Sequence, residues 1–194
     1  MRYERFLITL IIAVIIVLSQ CSWAQSNSVY IDQIGSNSSF TVDQDDSGRH
    51  STTITTGVVG NVDYNTFSVL QHGSGNKTAA IEVKSGINNA FEFNQRGTGN
   101  HTASIVNFEG SGNDIKVNQN GGGAHNFTLT ATGTNNGNSV YALQEGSADK
   151  SFSLNMNGTN GASVTVQQTN ASQANSGSMT IQCVTCGSYS YIRN

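Results

Sequence analysis

The sequence contains no proline, three cysteines and little charge, with 9 Lys+Arg and 12 Asp+Glu among 194 residues. Without proline, every peptide amide can donate a hydrogen bond, so no strand is interrupted for lack of a donor. The low charge excludes the highly charged class of disordered chain. With a formal net charge of −3, the chain also lacks the basic character of a nucleic-acid-binding protein. We therefore expect no sequence-specific nucleic acid partner.

Small and amide side chains are abundant instead. Gly, Ser, Thr, Asn and Gln make up more than half of the chain after residue 24. Ordinary globular domains are about 45–50% apolar and about 25% charged, so a large conventional core is not expected. Two possibilities remain: a polar low-complexity coil, or a repeat architecture held by its backbone and by side-chain ladders.

The first 24 residues, 1–24, have the pattern of a secretory signal peptide. A basic start precedes an apolar run at 6–18, and Ser22 and Ala24 supply the small residues of a cleavage site. The run is shorter than the roughly 20 residues that span a bilayer. A lipoprotein signal acylated at Cys21 is the alternative. We expect export through the periplasm.

Glutamines mark an internal repeat. Five of them are spaced 24, 24, 25 and 24 residues apart: Gln71, Gln95, Gln119, Gln144 and Gln168. A fixed period of this size is typical of a solenoid or array. The predicted organisation is a first unit at 29–51 around Gln33, an irregular insert at 52–66, units at 67–90, 91–114, 115–139, 140–163 and 164–188, and a tail at 189–194.

Each unit contains two alternating apolar runs separated by Gly, Ser and Asn clusters, which indicates strand, turn, strand, turn. Taking every second residue as inward gives four columns: Phe67/Phe91/Ile115/Val140/Val164, Val69/Phe93/Val117/Ala142/Val166, Ala79/Ala103/Phe127/Phe152/Met179 and Ile81/Ile105/Leu129/Leu154/Ile181. The predicted fold is all-β: a two-sheet parallel β-solenoid of about six strand–turn–strand coils.

The repeated glutamines fall on the inward phase, where an unpaired amide would cost about 1–3 kcal/mol. Stacked at the strand spacing of about 4.8 Å, they could hydrogen-bond from coil to coil as in cross-β assemblies. Asn76 and Asn100 precede second strands and suit turn positions. The predicted ladder set is Gln33, Gln71, Gln95, Gln119, Gln144 and Gln168.

The segments Gln71-His-Gly-Ser-Gly-Asn76 and Gln95-Arg-Gly-Thr-Gly-Asn100 resemble the curlin repeat of curli fibre subunits, with its Gln-x-Gly-x-x-Asn core. The family's second glutamine is matched only by Gln44. The resemblance implies a secreted bacterial amyloid subunit that polymerises end to end into fibres at the cell surface, for biofilm matrix and adhesion. It also implies, as partners, further curli-type subunits and secretion or assembly factors.

We find no catalytic constellation, cofactor motif or metal-ligand spacing, and expect no enzyme. One repeat phase carries four basic residues: Lys77, His101, His125 and Lys150. This pattern predicts a solvated basic stripe that could contact acidic matrix polysaccharide. Cys183 and Cys186 favour a disulfide that fixes the last coil in an oxidising compartment, a free buried thiol being the alternative.

Two functions are compatible with these features. A solenoid without caps leaves unpaired strand edges at both ends, which favours head-to-tail homopolymers. The alternative is a monomeric surface solenoid that binds carbohydrate or ice through a flat face. Threonines such as Thr128 and Thr130 suggest such a face.

Overall fold

The computed structural model of the chain describes residues 26–34, 36–57 and 63–194. The predicted signal segment 1–24 lies outside them. The described ranges contain fourteen strands: β1 (Ser28–Gln33), β2 (Ser39–Asp45), β3 (His50–Thr56), β4 (Thr66–His72), β5 (Lys77–Ser85), β6 (Ala90–Arg96), β7 (His101–Glu109), β8 (Asp114–Asn120), β9 (His125–Thr132), β10 (Ser139–Glu145), β11 (Lys150–Asn157), β12 (Ser163–Gln168), β13 (Asn175–Ile181) and β14 (Ser188–Arg193). Within the described ranges no helix is long and apolar enough to cross a membrane.

Successive strands alternate between two seven-stranded sheets. Sheet A contains the odd-numbered strands and sheet B the even-numbered ones, and each strand pairs in parallel with the strand two places along the chain. Parallel pairing requires a crossover, and here the crossover is the strand of the opposite sheet. The chain is therefore a two-sheet parallel β-solenoid of about six turns, which confirms the predicted fold class.

The core is a thin layer between the two sheets. Phe67, Phe91, Ile115, Val140 and Val164 stand in register on sheet B, and all are buried. The rings of Phe40 and Phe67 stack with centroids 5.0 Å apart, and those of Phe67 and Phe91 with centroids 5.2 Å apart. Alternation along the strands thus produces continuous apolar columns along the solenoid.

The last coil is shifted relative to the sequence prediction. Gly177, not Met179, pairs with Phe152, and Met179 pairs with Leu154. The turn after Gln168 contains one residue more than the preceding turns of this kind, since Asn175 takes the place that Lys150 holds in the coil before. The glycine leaves room for Tyr191, whose ring centroid lies 4.8 Å from that of Phe152.

The first unit and the insert were also assigned wrongly. Part of the interval 52–66 is regular: its first five residues lie in β3, and Thr66 begins β4. Gln33 ends β1 in sheet A, opposite Thr56. The interval 29–51 therefore begins on a sheet A strand, whereas the later units begin on sheet B strands. The tail 189–194 belongs mostly to β14, which pairs with β12.

The turns that connect a sheet B strand to the next sheet A strand, here called B-to-A turns, are closely stacked. Gly121 has φ of +130°, and a Cβ on it would lie 2.2 Å from the carbonyl oxygen of Gly146 in the next coil. Only glycine combines this dihedral with so close an approach. A glycine stands two residues after each of the glutamines from Gln71 to Gln144 and therefore allows the coils to approach this closely.

Candidate functional site

Six glutamines form one hydrogen-bonded ladder inside the solenoid. Each Nε2 except that of Gln168 donates to the Oε1 of the next coil, over 2.7 Å from Gln44 to Gln71 and 2.8 Å at every later step. Each Nε2 also donates to a backbone carbonyl of the facing strand, as Gln119 does to Thr102. The last five of the set are fully buried: Gln71, Gln95, Gln119, Gln144 and Gln168.

The ladder begins at Gln44, so the prediction that Gln33 belongs to it is wrong. Gln44 pairs with Gln71 on sheet B, whereas Gln33 lies on the opposite sheet. Gln44 is likewise not the second glutamine of a curlin repeat, because it occupies the same column as the first glutamines. All amides of the ladder point their donors toward the C-terminal end, which gives it a direction.

A second ladder, which the sequence analysis missed, follows the turns that lead from sheet A to sheet B. Its members are Asn65, Asn89, Asn113 and Asn138, all buried. Each Nδ2 after that of Asn65 donates to the Oδ1 of the preceding coil over 2.8–3.0 Å. Its direction is opposite to that of the glutamine ladder. Spacings of 24, 24 and 25 residues were the available signal.

Asn76 and Asn100 lie in B-to-A turns, as their sequence context predicts. The Asn76 amide N–H donates to Asn100 Oδ1 over 2.9 Å, and the Arg49 amide N–H donates to Asn76 Oδ1 over 3.2 Å. Both asparagines therefore cap the backbone of the preceding coil and do not take part in either buried ladder.

The predicted solvated stripe is wrong, because its residues point inward. His50, Lys77, His101, His125 and Lys150 form one register column, and each is at most 1% exposed. Their positions share the inward phase of the sheet A strands and lie against the glycine-rich B-to-A turns. We call them the basic column. Buried within the fold, it offers no surface for an acidic polysaccharide.

Backbone carbonyls solvate the buried ammonium groups. Lys77 Nζ donates to the carbonyls of Gly75, Gly97 and Gly99 over 2.8–2.9 Å. Lys150 Nζ donates to the Asn170 carbonyl over 2.7 Å. Burial lowers the pKa of Lys77 to about 8, so this side chain is still charged at neutral pH.

The histidines are held as neutral imidazoles. His101 Nε2 contacts the Arg96 carbonyl at 2.7 Å, His125 Nε2 contacts the Asn120 carbonyl at 3.1 Å, and the two rings stack with centroids 4.8 Å apart. Since a carbonyl only accepts, Nε2 carries the proton. Both Nδ1 atoms are buried without a partner in the described part of the chain. Burial lowers the pKa of His125 and brings that of His101 to about 4.

Metal binding finds no support in this column. Among the residues that the structure describes, no group of three or more His, Cys, Asp or Glu side chains could hold a metal ion. Stacked parallel rings also direct their nitrogen lone pairs side by side, not toward a common centre.

Cys183 and Cys186 form a disulfide in the turn between β13 and β14. Cys183 lies two residues beyond the end of β13. The Cys183 sulfur is 3.5 Å from the Tyr189 hydroxyl, which links the turn to the last strand.

Reduction of this disulfide is expected to loosen only the last coil. The loss is at most about 2 kcal/mol, because so short a closed loop restricts the unfolded chain little. Hydrogen exchange with and without reductant should show faster exchange in β14 and unchanged exchange in β8. A Cys183→Ser/Cys186→Ser variant should match the reduced protein, and equal protection of β14 in all three samples would contradict the expectation.

The two ends of the solenoid expose strand edges and apolar side chains. At the N-terminal end, Val29 is 49% and Ile31 40% exposed, and Phe40 of β2 is only partly buried. At the C-terminal end, Met179 of β13 and Tyr189 of β14 are partly buried.

Comparisons with protein-family models, curated proteins and solved structures give no match for this chain.

Proposed function

We propose that the chain is a secreted structural subunit that polymerises end to end into curli-like extracellular amyloid fibres. The observation that carries the proposal is that the columns of one end continue those of the other. Phe40 and Tyr189 stand on the same sheet B column, and Ile31 and Met179 stand on the same sheet A column. A second copy placed on the first would bury apolar side chains against apolar side chains.

The strand edges favour the same arrangement. β1 and β2 at one end, and β13 and β14 at the other, each have one side without a strand partner among the described residues. An unpaired edge is a template for pairing with another chain unless it is covered or charged. Stacking of copies would continue both sheets through the junction without any change of fold.

The extracellular location and the role in matrix and adhesion rest on the sequence. The signal-like segment 1–24 and the resemblance of Gln71–Asn76 and Gln95–Asn100 to curlin repeats support export to the bacterial surface. Sparse charged side chains on the outer faces, such as the Lys116–Glu92 pair, would slow premature aggregation during export. Other subunits of the same kind and assembly factors are the expected partners.

The purified chain from residue 25 onward is expected to form thioflavin-positive fibres. Oriented fibres should give a meridional reflection at about 4.8 Å, from strands perpendicular to the fibre axis, and an equatorial one near 10 Å from the facing sheets. Growth should accelerate when sonicated fibres are added. A chain that stays monomeric at high concentration over long incubation would contradict the proposal.

A second candidate is a monomeric binding module for carbohydrate or ice. The outer face of sheet A favours it, because one of its columns, which begins with Tyr30 on β1, carries only small, uncharged side chains from β3 to β13: Thr53, Ala80, Ser104, Thr128, Ser153 and Ser178. Binding of the monomer to glycans, or thermal hysteresis, would support this alternative.

A further inference from the structure

The glutamine ladder ends differently at the two ends of the solenoid. Gln44 Nε2 donates to Gln71 Oε1, to Thr52 Oγ1 and to the Ser28 carbonyl, while Gln44 Oε1 accepts no hydrogen bond from the described residues. The N-terminal end therefore presents a carbonyl acceptor in the ladder column.

The C-terminal end presents only donors in the same column. Arg193 stands opposite Gln168 on β14, and its guanidinium lies 6.0 Å from the Tyr191 ring centroid. A guanidinium has N–H donors and no acceptor, so Arg193 cannot accept from Gln168. Gln168 Nε2 donates to the Ser151 and Asn175 carbonyls instead, and the Arg193 side chain is exposed.

We propose that the Arg193 guanidinium of one copy donates to Gln44 Oε1 of the next copy and so extends the column of ladder side chains across the junction. This inference rests on the proposed end-to-end assembly. It adds the pair of side chains that sets the polarity and register of the stack. Each later amide of the ladder accepts a hydrogen bond from the coil before it, and only the first amide, Gln44, lacks this donor. Arg193 of the neighbouring copy supplies it.

The same chemistry disfavours the other arrangements. Two C-terminal ends brought together offer Arg193 no ladder carbonyl, and two N-terminal ends offer Gln44 Oε1 no ladder donor. A slip of two residues toward the start of β2 would place the cation of Arg193 against Val42, which is apolar. Specificity in such a contact comes as much from these mismatches as from the matched pair.

Seeded elongation tests the junction. Wild-type seeds are incubated with wild-type, Arg193→Glu or Arg193→Gln monomers. Glutamate can only accept, so it opposes the Gln44 carbonyl, and we expect elongation to be about tenfold slower or more, as for loss of one charge-assisted hydrogen bond. Glutamine can donate, and we expect a rate within about twofold of wild type. Arg96→Glu on the outer face makes the same charge change away from the ladder and should elongate normally.

A compensating substitution makes the test specific. Gln44→Arg keeps a donor for Gln71 Oε1 and presents a cation to the glutamate, so the Gln44→Arg/Arg193→Glu double variant should regain most of the wild-type elongation rate on its own seeds. Normal elongation of Arg193→Glu, or no recovery in the double variant, would overturn this junction while leaving the proposed fibre intact. A wild-type chain that forms no fibres would overturn both.

Discussion

Replacing Gln119 with leucine is expected to lower the free energy of unfolding of the monomer by about 3 kcal/mol. The Gln119 amide donates to Gln144 Oε1 and to the Thr102 carbonyl, and it accepts from Gln95 Nε2. Leucine has a similar volume but removes all three hydrogen bonds. A buried polar group left without a partner costs about 1–3 kcal/mol, and Gln144 Oε1 would be such a group. Urea unfolding under dilute, monomeric conditions measures the loss.

A matched control uses the same substitution on the opposite face. Gln167 lies on β12 in the outward phase, opposite Leu143 of the neighbouring coil, and is only partly buried. Gln167→Leu is expected to change the stability by less than about 0.5 kcal/mol, as for most surface substitutions. Equal losses in the two variants would show that the ladder amide contributes no more than any exposed glutamine.

The parts of the fold that the sequence predicted are those in which all coils have equal length. From Gln71 to Gln168 the spacing changes by only one residue, so residues of equal phase stack and the sheet B columns follow from counting. The coil between Gln44 and Gln71 contains 27 residues. Counting back by 24 therefore missed Gln44, and the ladder was assigned to Gln33 on the wrong sheet. A search with a fixed period does not detect a coil of a different length.

The burial of the asparagine ladder and of the basic column was not predicted from the sequence, for a chemical reason. Asparagine is common in turns for its backbone preferences, so its repetition at Asn89 and Asn113 did not indicate burial. Lysine and histidine were assigned to the solvent because lysine is almost never buried without a partner. Here the partners are backbone carbonyls of the B-to-A turns, which no side-chain pattern reveals. The positions of Lys77, Ala79 and Ile81, two residues apart on one strand, nevertheless indicated that the ammonium lies on the inward face.

Mild acid is expected to destabilise the solenoid through the basic column. Burial lowers the pKa of His50, His101 and His125 below the value of 6.5 that an unfolded chain would have. Between pH 6.5 and the lowered values, which reach about 4 for His101, the unfolded chain binds more protons than the folded one. Stability is then complete above pH 6.5 and falls as the pH decreases through this window.

The structural cause is the closed environment of the rings. Protonation would place an N–H on an Nδ1 atom that has no acceptor, beside another imidazole and near the ammonium groups of Lys77 or Lys150. Asp46 near His50 and Asp149 near His125 oppose the shift, but the effect of burial is larger. His101 lies between Lys77 and His125 on the column, and both act to lower its pKa further. It should therefore resist protonation most.

Urea unfolding of the monomer from pH 7.5 to 5 measures this effect, because carboxylates with ordinary pKa values of about 4 remain ionised over most of that range. Unfolding should take up protons over this range, with the largest share at His101, whose pKa is lowered to about 4. A His101→Asn/His125→Asn variant keeps amide donors in the column and removes two of the titrating groups, so its stability should depend much less on pH, although it is less stable at pH 7.5. Parallel pH profiles for the two proteins would assign the acid sensitivity to groups outside the basic column.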